Sequence, residues 1–528
     1  MSRVSPEPNP IQLQPTPSFI SNKTNTTMVY HNVESTAEQT PAVVTKTLTP
    51  NGISTISSIV KGAFIRPKWM TNKIIAGIIT CTVAALLVII IPIAVKFSGR
   101  GGSIASTTII ALPVVSAYWA FDNNGNELYG GYPGSLVGSA SYQSGYTYFG
   151  VGYGLYMSTS NSYFSVSNYF NLSYQSFTVD AWIYPYNIAG DNPIFSQCTC
   201  SSCTSQCLFL ILRTGKLYMG FTYNDLTGTT TLTASKWYHI AFVYNYQTSQ
   251  QLIYVDGVLD ASRSGVTTPY LGQNGSITMG YSMLFGTSAY YYYAIDNLAL
   301  TTRAKSSSEL LTTATLIFYF SFDLPSPYYD NGPNGLNSTN YAGLSSVSGR
   351  VNQGIQLTTS TSFFQMYGFY GIGLLSNSPF TFAVWINPTS INGGIIVHIS
   401  STQNGYWSQQ DILSLTYSGQ IMTQIQSSNS YYPSVIGPFI SLNTWTHVAC
   451  TFSTTLGLTL YVNGNSKGSS GAISAYSNSG GIMYVTLGYN FGQTVTNIAS
   501  LPFQGAFDEF YTYKRELSAS EVSSLANP

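Results

Sequence analysis

Ser176-Phe-Thr-Val-Asp-Ala-Trp182-Ile-Tyr-Pro185 and Pro379-Phe-Thr-Phe-Ala-Val-Trp385-Ile-Asn-Pro388 are two versions of one strand, roughly two hundred residues apart. In the first, Phe177, Val179, Ala181 and Ile183 fall on one face, and Asp180 and Trp182 on the other. That period-two alternation predicts a β-strand. Three further blocks follow each copy in the same order. Lys236-Trp237-Tyr-His239-Ile-Ala answers Thr444-Trp445-Thr-His447-Val-Ala. Leu252-Ile-Tyr-Val-Asp-Gly257 answers Leu460-Tyr-Val-Asn-Gly464. Ala294-Ile-Asp296-Asn-Leu answers Ala506-Phe-Asp508-Glu-Phe. The chain is therefore duplicated. So long a repeat is not a solenoid unit, and each copy is expected to hold its own core.

Composition supports the same class. The chain has 528 residues, only 7% of them charged, with a formal net charge of zero. Lys and Arg are too sparse for a nucleic-acid footprint. The 42 tyrosines and 47 glycines, with abundant Ser, Thr and Asn, are the makings of strands and turns. No long amphipathic helix is legible after residue 115.

One segment stands apart. Residues 74–95, IIAGIITCTVAALLVIIIPIAV, carry no charge. At about 1.5 Å rise per residue the run reaches roughly 33 Å, enough to cross a hydrocarbon core. It predicts a transmembrane helix over 73–96 that partners membrane lipid, with Cys81 inside it. Lys61, Arg66, Lys68 and Lys73 precede the run, and only Lys96 and Arg100 closely follow it. That bias puts the N-terminus in the cytoplasm and the C-terminal domains outside, a type II signal anchor in the plasma membrane. Residues 1–72, rich in Pro, Thr, Ser and Asn, read as a disordered cytoplasmic tail. Residues 97–115 read as a stalk. The copies are expected over 116–311 and 315–526, joined by a linker so short that they should touch. Each ends in a charged segment, Thr302-Arg-Ala-Lys-Ser-Ser-Ser-Glu309 and Lys514-Arg-Glu-Leu-Ser-Ala-Ser-Glu521. The spacing of Ser518 and Glu521 is that of a capping box, and predicts a short closing helix.

Together these blocks resemble the laminin-G-like jelly-roll family of the concanavalin-A-like lectin/glucanase superfamily. Its members open with a Phe-Asp strand, as at Phe121-Asp122 and Phe322-Asp323. They continue through the Phe-Thr…Trp-Ile…Pro strand, Trp…His-Val-Ala and a Tyr-Val-Asp-Gly hairpin. They close on Asp-Glu…Arg…Leu-Ser…Glu. The second copy meets that ending at Asp508, Glu509, Arg515, Leu517 and Glu521. The first departs from it, with Asn297 in place of the Glu and Arg303-Ala-Lys. The second copy also has Val384 before its Trp and Asn463 in the hairpin. The resemblance covers residues 116–526 and implies an all-β fold: two tandem antiparallel β-sandwich jelly rolls, with little implied about ligand.

Candidate sites follow from residue chemistry. Cys198, Cys200, Cys203 and Cys207 crowd one loop. Zinc is a rival reading, but an extracellular loop favours two disulfides, with three pairings open. Cys450, in an apolar strand, reads as a buried free thiol. The resemblance makes Ca²⁺ a candidate ion for Asp122 and Asp296 in one copy and Asp323 and Asp508 in the other, although no cofactor is required. A hard cation needs six to eight oxygens, and the competing reading is that these acids bond turn amides. His239 and His447 read as core or turn-anchoring histidines rather than general bases. Asn171-Leu-Ser, Asn274-Gly-Ser and Asn337-Ser-Thr are N-glycosylation acceptors if this part faces outward, whereas Asn22 and Asn25 would lie in the tail. Tyrosine clusters at Tyr290–Tyr293, Tyr367–Tyr370 and Tyr431–Tyr432 divide between core packing and ligand stacking.

Glucanases on this fold carry two or three carboxylates closely spaced along one strand, and glycoside hydrolysis needs a flanking pair. No such strand occurs here. The functional expectation is a non-enzymatic ectodomain that binds an extracellular glycan or protein. A degenerate glycosidase or trans-glycosidase and a purely structural spacer are the alternatives.

Overall fold

The computed structural model of the protein describes residues 116–528, apart from 201, 267, 285–286, 339, 371–376, 428–430, 477–478, 494–500 and the side chains of 284 and 293. The tail, the apolar run at 74–95 and the stalk lie outside the described residues. No described helix is long and apolar enough to cross a membrane.

The described chain is an all-β pair of sandwiches. Each sandwich is built from an eight-stranded and a seven-stranded antiparallel sheet. The two duplicated strands, Phe177–Pro185 and Phe380–Pro388, sit in the middle of their larger sheets. Phe177–Pro185 pairs with Tyr238–Asn245 on one side and Tyr293–Thr301 on the other. Phe380–Pro388 pairs with Thr446–Ser453 and Gly505–Tyr513. Central placement satisfies backbone groups along both edges, and all residues but Tyr184 and Asn387 are buried. Phe177, Val179, Ala181 and Ile183 face the sandwich interior with Leu208, Leu210, Leu212, Ile240 and Phe242. Each buried Val, Leu, Ile or Phe among them contributes roughly 1.5–3 kcal/mol relative to exposure.

The outer face of each strand holds the domain's closing segment. Thr178 Oγ1 donates to the Arg303 carbonyl at 2.8 Å and accepts from the Lys305 amide at 2.9 Å. Thr381 does the same for Arg515 and Leu517, at 2.8 and 3.0 Å. Both closing helices form, α1 at Ser307–Thr315 and α2 at Ala519–Leu525, each with a complete capping box, Ser306 with Glu309 and Ser518 with Glu521. Helix α1 runs directly into the strand Leu316–Phe320, so the expected linker is part of a helix. Leu310 packs on Ala241, Val243 and Tyr254, and Val522 packs on Ala383, Ala449 and Tyr461.

The hairpin signal is explained by the same helices. Asp256 and Gly257 have φ of 49° and 78°, and Asn463 and Gly464 have 49° and 75°. Both turns need positive φ twice, which Asp or Asn followed by Gly tolerates. A Cβ on Gly257 would lie 2.7 Å from the Leu311 backbone. Asp and Asn serve the turn equally because Oδ1 alone accepts from the His239 or His447 amide, at 3.1 or 3.0 Å.

The sandwiches share packing. Tyr148 stacks on Trp182 at 3.7 Å and 10°. Tyr370 of the second sandwich stacks on Tyr148 at 4.7 Å. Lys514 Nζ lies 4.4 Å from the centre of the Trp182 ring and 3.7 Å from Asp256 Oδ1. Burial pushes the Lys514 amine below its ordinary value, against the pull of Asp256. Tyr148, Phe149 and Trp182 belong to the same buried cluster as the second sandwich's core.

The Arg303–Glu309 and Arg515–Glu521 forks, together with the capping boxes, hold both glutamates at about 2. Because these carboxyls sit below the ordinary 4.5, their contribution is complete above that value and is lost as pH falls towards 2. Both are part-exposed, which keeps the gain small. Glu521→Ala is expected to lower Tm by about 2–4 °C at neutral pH. The difference from the parent should shrink below pH 4.5 in a calorimetric pH series, whereas a constant difference would assign the loss to packing.

Candidate recognition site

The four acids proposed for calcium do converge in pairs, each pair on one loop. Asp122 Oδ1 accepts from the Tyr153 amide at 3.0 Å, and Asp296 Oδ2 is 3.4 Å from the Tyr148 amide. In the second sandwich Asp508 Oδ2 accepts from the Arg350 and Val351 amides at 2.7 and 2.9 Å, and Asp323 Oδ1 from Gln353 at 3.0 Å. Glycines let the backbone approach: a Cβ on Gly152 would lie 2.0 Å from Asp122 Oδ1, and one on Gly349 would lie 2.5 Å from Asp508 Oδ2. Burial, and then the Asp122 charge, push Asp296 well above the carboxylate range. Burial, reinforced by Glu509, pushes Asp508 to about 7. As placed, these acids hold loop amides, and a calcium ion would have to displace those bonds. Among the described residues, no three His, Cys, Asp or Glu side chains group as a metal site.

The two core histidines lie edge-on to their tryptophans, His239 to Trp182 at 5.2 Å and His447 to Trp385 at 5.5 Å. Burial pushes His447 down to about 4. His239 lies 3.7 Å from Asp180, whose carboxyl also meets Lys305 at 2.5 Å. Burial opposes ionisation of Asp180, but Lys305 and His239 hold it below its ordinary value. In the second sandwich Ala383 and Leu517 stand at the positions of Asp180 and Lys305, an apolar solution to the same packing. Cys450 is a buried free thiol that burial pushes up to about 12.

The cysteine loop joins the strands Asp191–Cys198 and Cys207–Arg213. Cys198 pairs with Cys207 and Cys200 with Cys203. Thr199 Oγ1 donates to the Asn274 carbonyl at 2.9 Å, tying the loop to its neighbour. The equivalent hairpin of the second sandwich joins Gly394–Ser400 to Gln410–Leu415 and has no cysteine. It is pinned by a polar row that sequence reading missed. Strand register aligns Asn340, Gln365, Thr486, His398 and Asp411 across five strands. Asn340 Nδ2 donates to Gln365 Oε1 at 2.5 Å, and Gln365 Nε2 donates to Thr486 Oγ1 at 2.9 Å. His398 Nδ1 and Asp411 Oδ1 are 2.7 Å apart, with both residues fully buried, and Asn490 Nδ2 donates to Asp411 Oδ2 at 3.2 Å. The row then grips the loop: Gln365 Nε2 donates to the Gln403 carbonyl at 2.9 Å, and His398 Nε2 lies 3.2 Å from the Gly405 carbonyl. On that loop Tyr406 and Trp407 stand exposed.

Beside this loop, where the sandwiches meet, lies a cleft of about 300 Å³. Gln365, Met366, Tyr367 and Tyr484 of the second sandwich line it, with Gln403 from the hairpin loop and with Gly150 and Val151 of the first sandwich. It adjoins a more open hollow that shares Asn340 and Gln403 and reaches Phe363 and Phe491. Among the sequence-predicted tyrosines, Tyr367 packs at a tilt of 44° against Tyr484, 4.6 Å away in the cleft, Tyr291 is core, and Tyr431 is exposed elsewhere. Asn171, Asn274 and Asn337 are all exposed.

The family model described as the concanavalin A-like lectin/glucanases superfamily matches residues 158–311 and 352–523, more than half of the chain. The chain belongs to that superfamily. Solved structures with similar chains include domain 4 of an extracellular arabinanase from Geobacillus stearothermophilus, with arabinotriose. It is 17% identical over 37% of this chain and 95% of its own, with a TM-score of 0.30. The ligand-binding domain of botulinum neurotoxin serotype D, with N-acetylneuraminic acid, is 15% identical over 41% of this chain, with a TM-score of 0.30; the match spans 51% of that domain's length. Mouse laminin α1 domains LG4-5 are 13% identical over 66% of this chain and 91% of theirs, with a TM-score of 0.21. Comparison with curated proteins found no match.

The two ways of pinning one hairpin make separable predictions. Reduction of the protein should speed amide exchange in residues 199–206 and leave 401–409 unchanged. His398→Gln should do the reverse, read by hydrogen exchange with mass spectrometry. Unchanged exchange at 401–409 in His398→Gln would remove the polar row from its role as the loop's anchor.

Proposed function

We propose that this is a cell-surface recognition protein: single-pass, type II, anchored in lipid through residues 74–95, with both sandwiches outside. They bind an extracellular glycan or protein and do not transform it. Supporting the anchor are the charge-free run and the cations weighted to its N-terminal side. Supporting the binding role is one observation above the rest. The same hairpin is stiffened in both sandwiches by unrelated chemistry, two disulfides in one and a buried polar row in the other. What the copies share is therefore a rigid presented loop, and a pre-ordered loop loses less entropy when it binds.

The acids that could serve hydrolysis are occupied otherwise. Asp122, Asp296, Asp323 and Asp508 hold backbone amides, and Glu509 accepts from Tyr319 and Tyr511 at 3.0 and 2.7 Å. Within this reading Asn171 and Asn274 carry N-glycans, and calcium is a chelator-sensitive option at the paired acids rather than a requirement.

Tags at both ends, probed by protease on intact cells, test the placement: the C-terminal tag should be cut and the N-terminal tag protected. A glycan array with and without chelator then tests the activity. Binding without turnover is expected. Turnover of any glycan would favour the enzyme, and silence on glycans with capture of partner cells would favour a protein ligand.

A further inference from the structure

We infer that the cleft between the sandwiches binds an uncharged oligosaccharide, in a site that exists only because the two copies are fused. The inference rests on the recognition reading above and names its ligand class and place.

Three observations carry it. First, the cleft is composite. Val151 of the first sandwich, 45% exposed, forms one wall. The loop bearing it is forced against the second sandwich, where a Cβ on Gly150 would lie 2.5 Å from Ile482 Cδ1. A single sandwich lacks that wall. Second, the lining is uncharged. It combines side-chain amides, notably Asn337, Asn340 and Gln403, with aromatic rings, notably Tyr367, and with the apolar Leu336 and Met366, and includes no Asp, Glu, Lys, Arg or His. Amides offer both donors and acceptors, the complement of ring hydroxyls and acetamido groups. Aromatic faces accept the apolar C–H side of a sugar ring. A carboxylate or sulfate would lose its hydration there without gaining a cation. Third, the site is pre-formed. Gln365 is 1% exposed and bonds Asn340, Thr486 and the Gln403 carbonyl at once, which fixes the floor and the loop before any ligand arrives. About 300 Å³ suits a small ligand segment, whereas a stable protein interface needs roughly 800 Å² per partner.

The test uses the purified full chain in detergent on an array of neutral oligosaccharides and their sialylated and sulfated counterparts. The tightest neutral binder is then titrated calorimetrically. Gln403→Ala changes only an exposed side chain, and Tyr367→Ala removes a ring. Val151→Arg fills the wall from the first sandwich. Tyr417→Ala, 67% exposed in the turn at the other end of the same sheet, is the control. Each cleft variant should weaken neutral-glycan binding roughly ten-fold or more, the loss that follows from about 1.4 kcal/mol of contact. Gln403→Ala and Tyr417→Ala should keep the parent's thermal transition, and Tyr417→Ala should also keep its affinity. Glycan binding that survives Gln403→Ala and Val151→Arg unchanged, or that favours sialylated or sulfated probes, overturns this site and leaves the recognition reading intact. No glycan binding at all overturns the inference. If partner cells are also not bound, it overturns the recognition reading as well.

Discussion

The stack of Tyr148 on Trp182 is the contact on which the arrangement of the molecule depends. Trp182 points outward from the central strand of the first sandwich, on the face opposite its core. An indole exposed there would be an apolar liability. Tyr148 covers it at 3.7 Å, and Tyr370 and Lys514 arrive from the second sandwich to cover Tyr148. Trp385, the equivalent residue, is instead covered by Arg350 of its own sandwich, 4.8 Å from the ring. One substitution pattern, an aromatic loop at 148–149 against a cationic one at 350, gives the two copies different neighbours. The fused pair, its shared core and the cleft beside it all follow.

Duplication allowed the two halves to solve identical problems differently. The outer face beneath the closing segment is ionic in one, through Asp180, Lys305 and His239, and apolar in the other, through Ala383 and Leu517. A buried ion pair is weak evidence for stability, because desolvation offsets much of its attraction. That a neighbouring copy manages without it fits that balance. The hairpin loops show the same freedom, with disulfides in one and a polar row in the other. What both preserve is a loop tied to its sheet by bonds at both ends.

Much of the fold was legible because its determinants are local. The Phe-Thr…Trp-Ile strand, the Asp-Gly turn and the Ser518–Glu521 cap each encode their structure within ten residues. The Thr in Phe-Thr had a further role, bolting the closing segment to the strand, that only the fold makes visible. The paired acids were legible as neighbours, and the amides they hold were not. The polar row was beyond reach. Asn340, Gln365, His398, Asp411 and Thr486 are brought together by strand register alone, and a single His in the run Ile395-Ile-Val-His398-Ile reads as an ordinary core position. The cleft was equally hidden, since one of its walls comes from how one copy sits on the other.

That fusion can be measured directly. If Tyr148, Trp182, Tyr370 and Lys514 join the sandwiches into one cooperative body, calorimetric unfolding should show a single transition whose van't Hoff and calorimetric enthalpies agree. Tyr148→Ala should then split it into two. Two independent transitions in the parent protein, unchanged by Tyr148→Ala, would contradict the account.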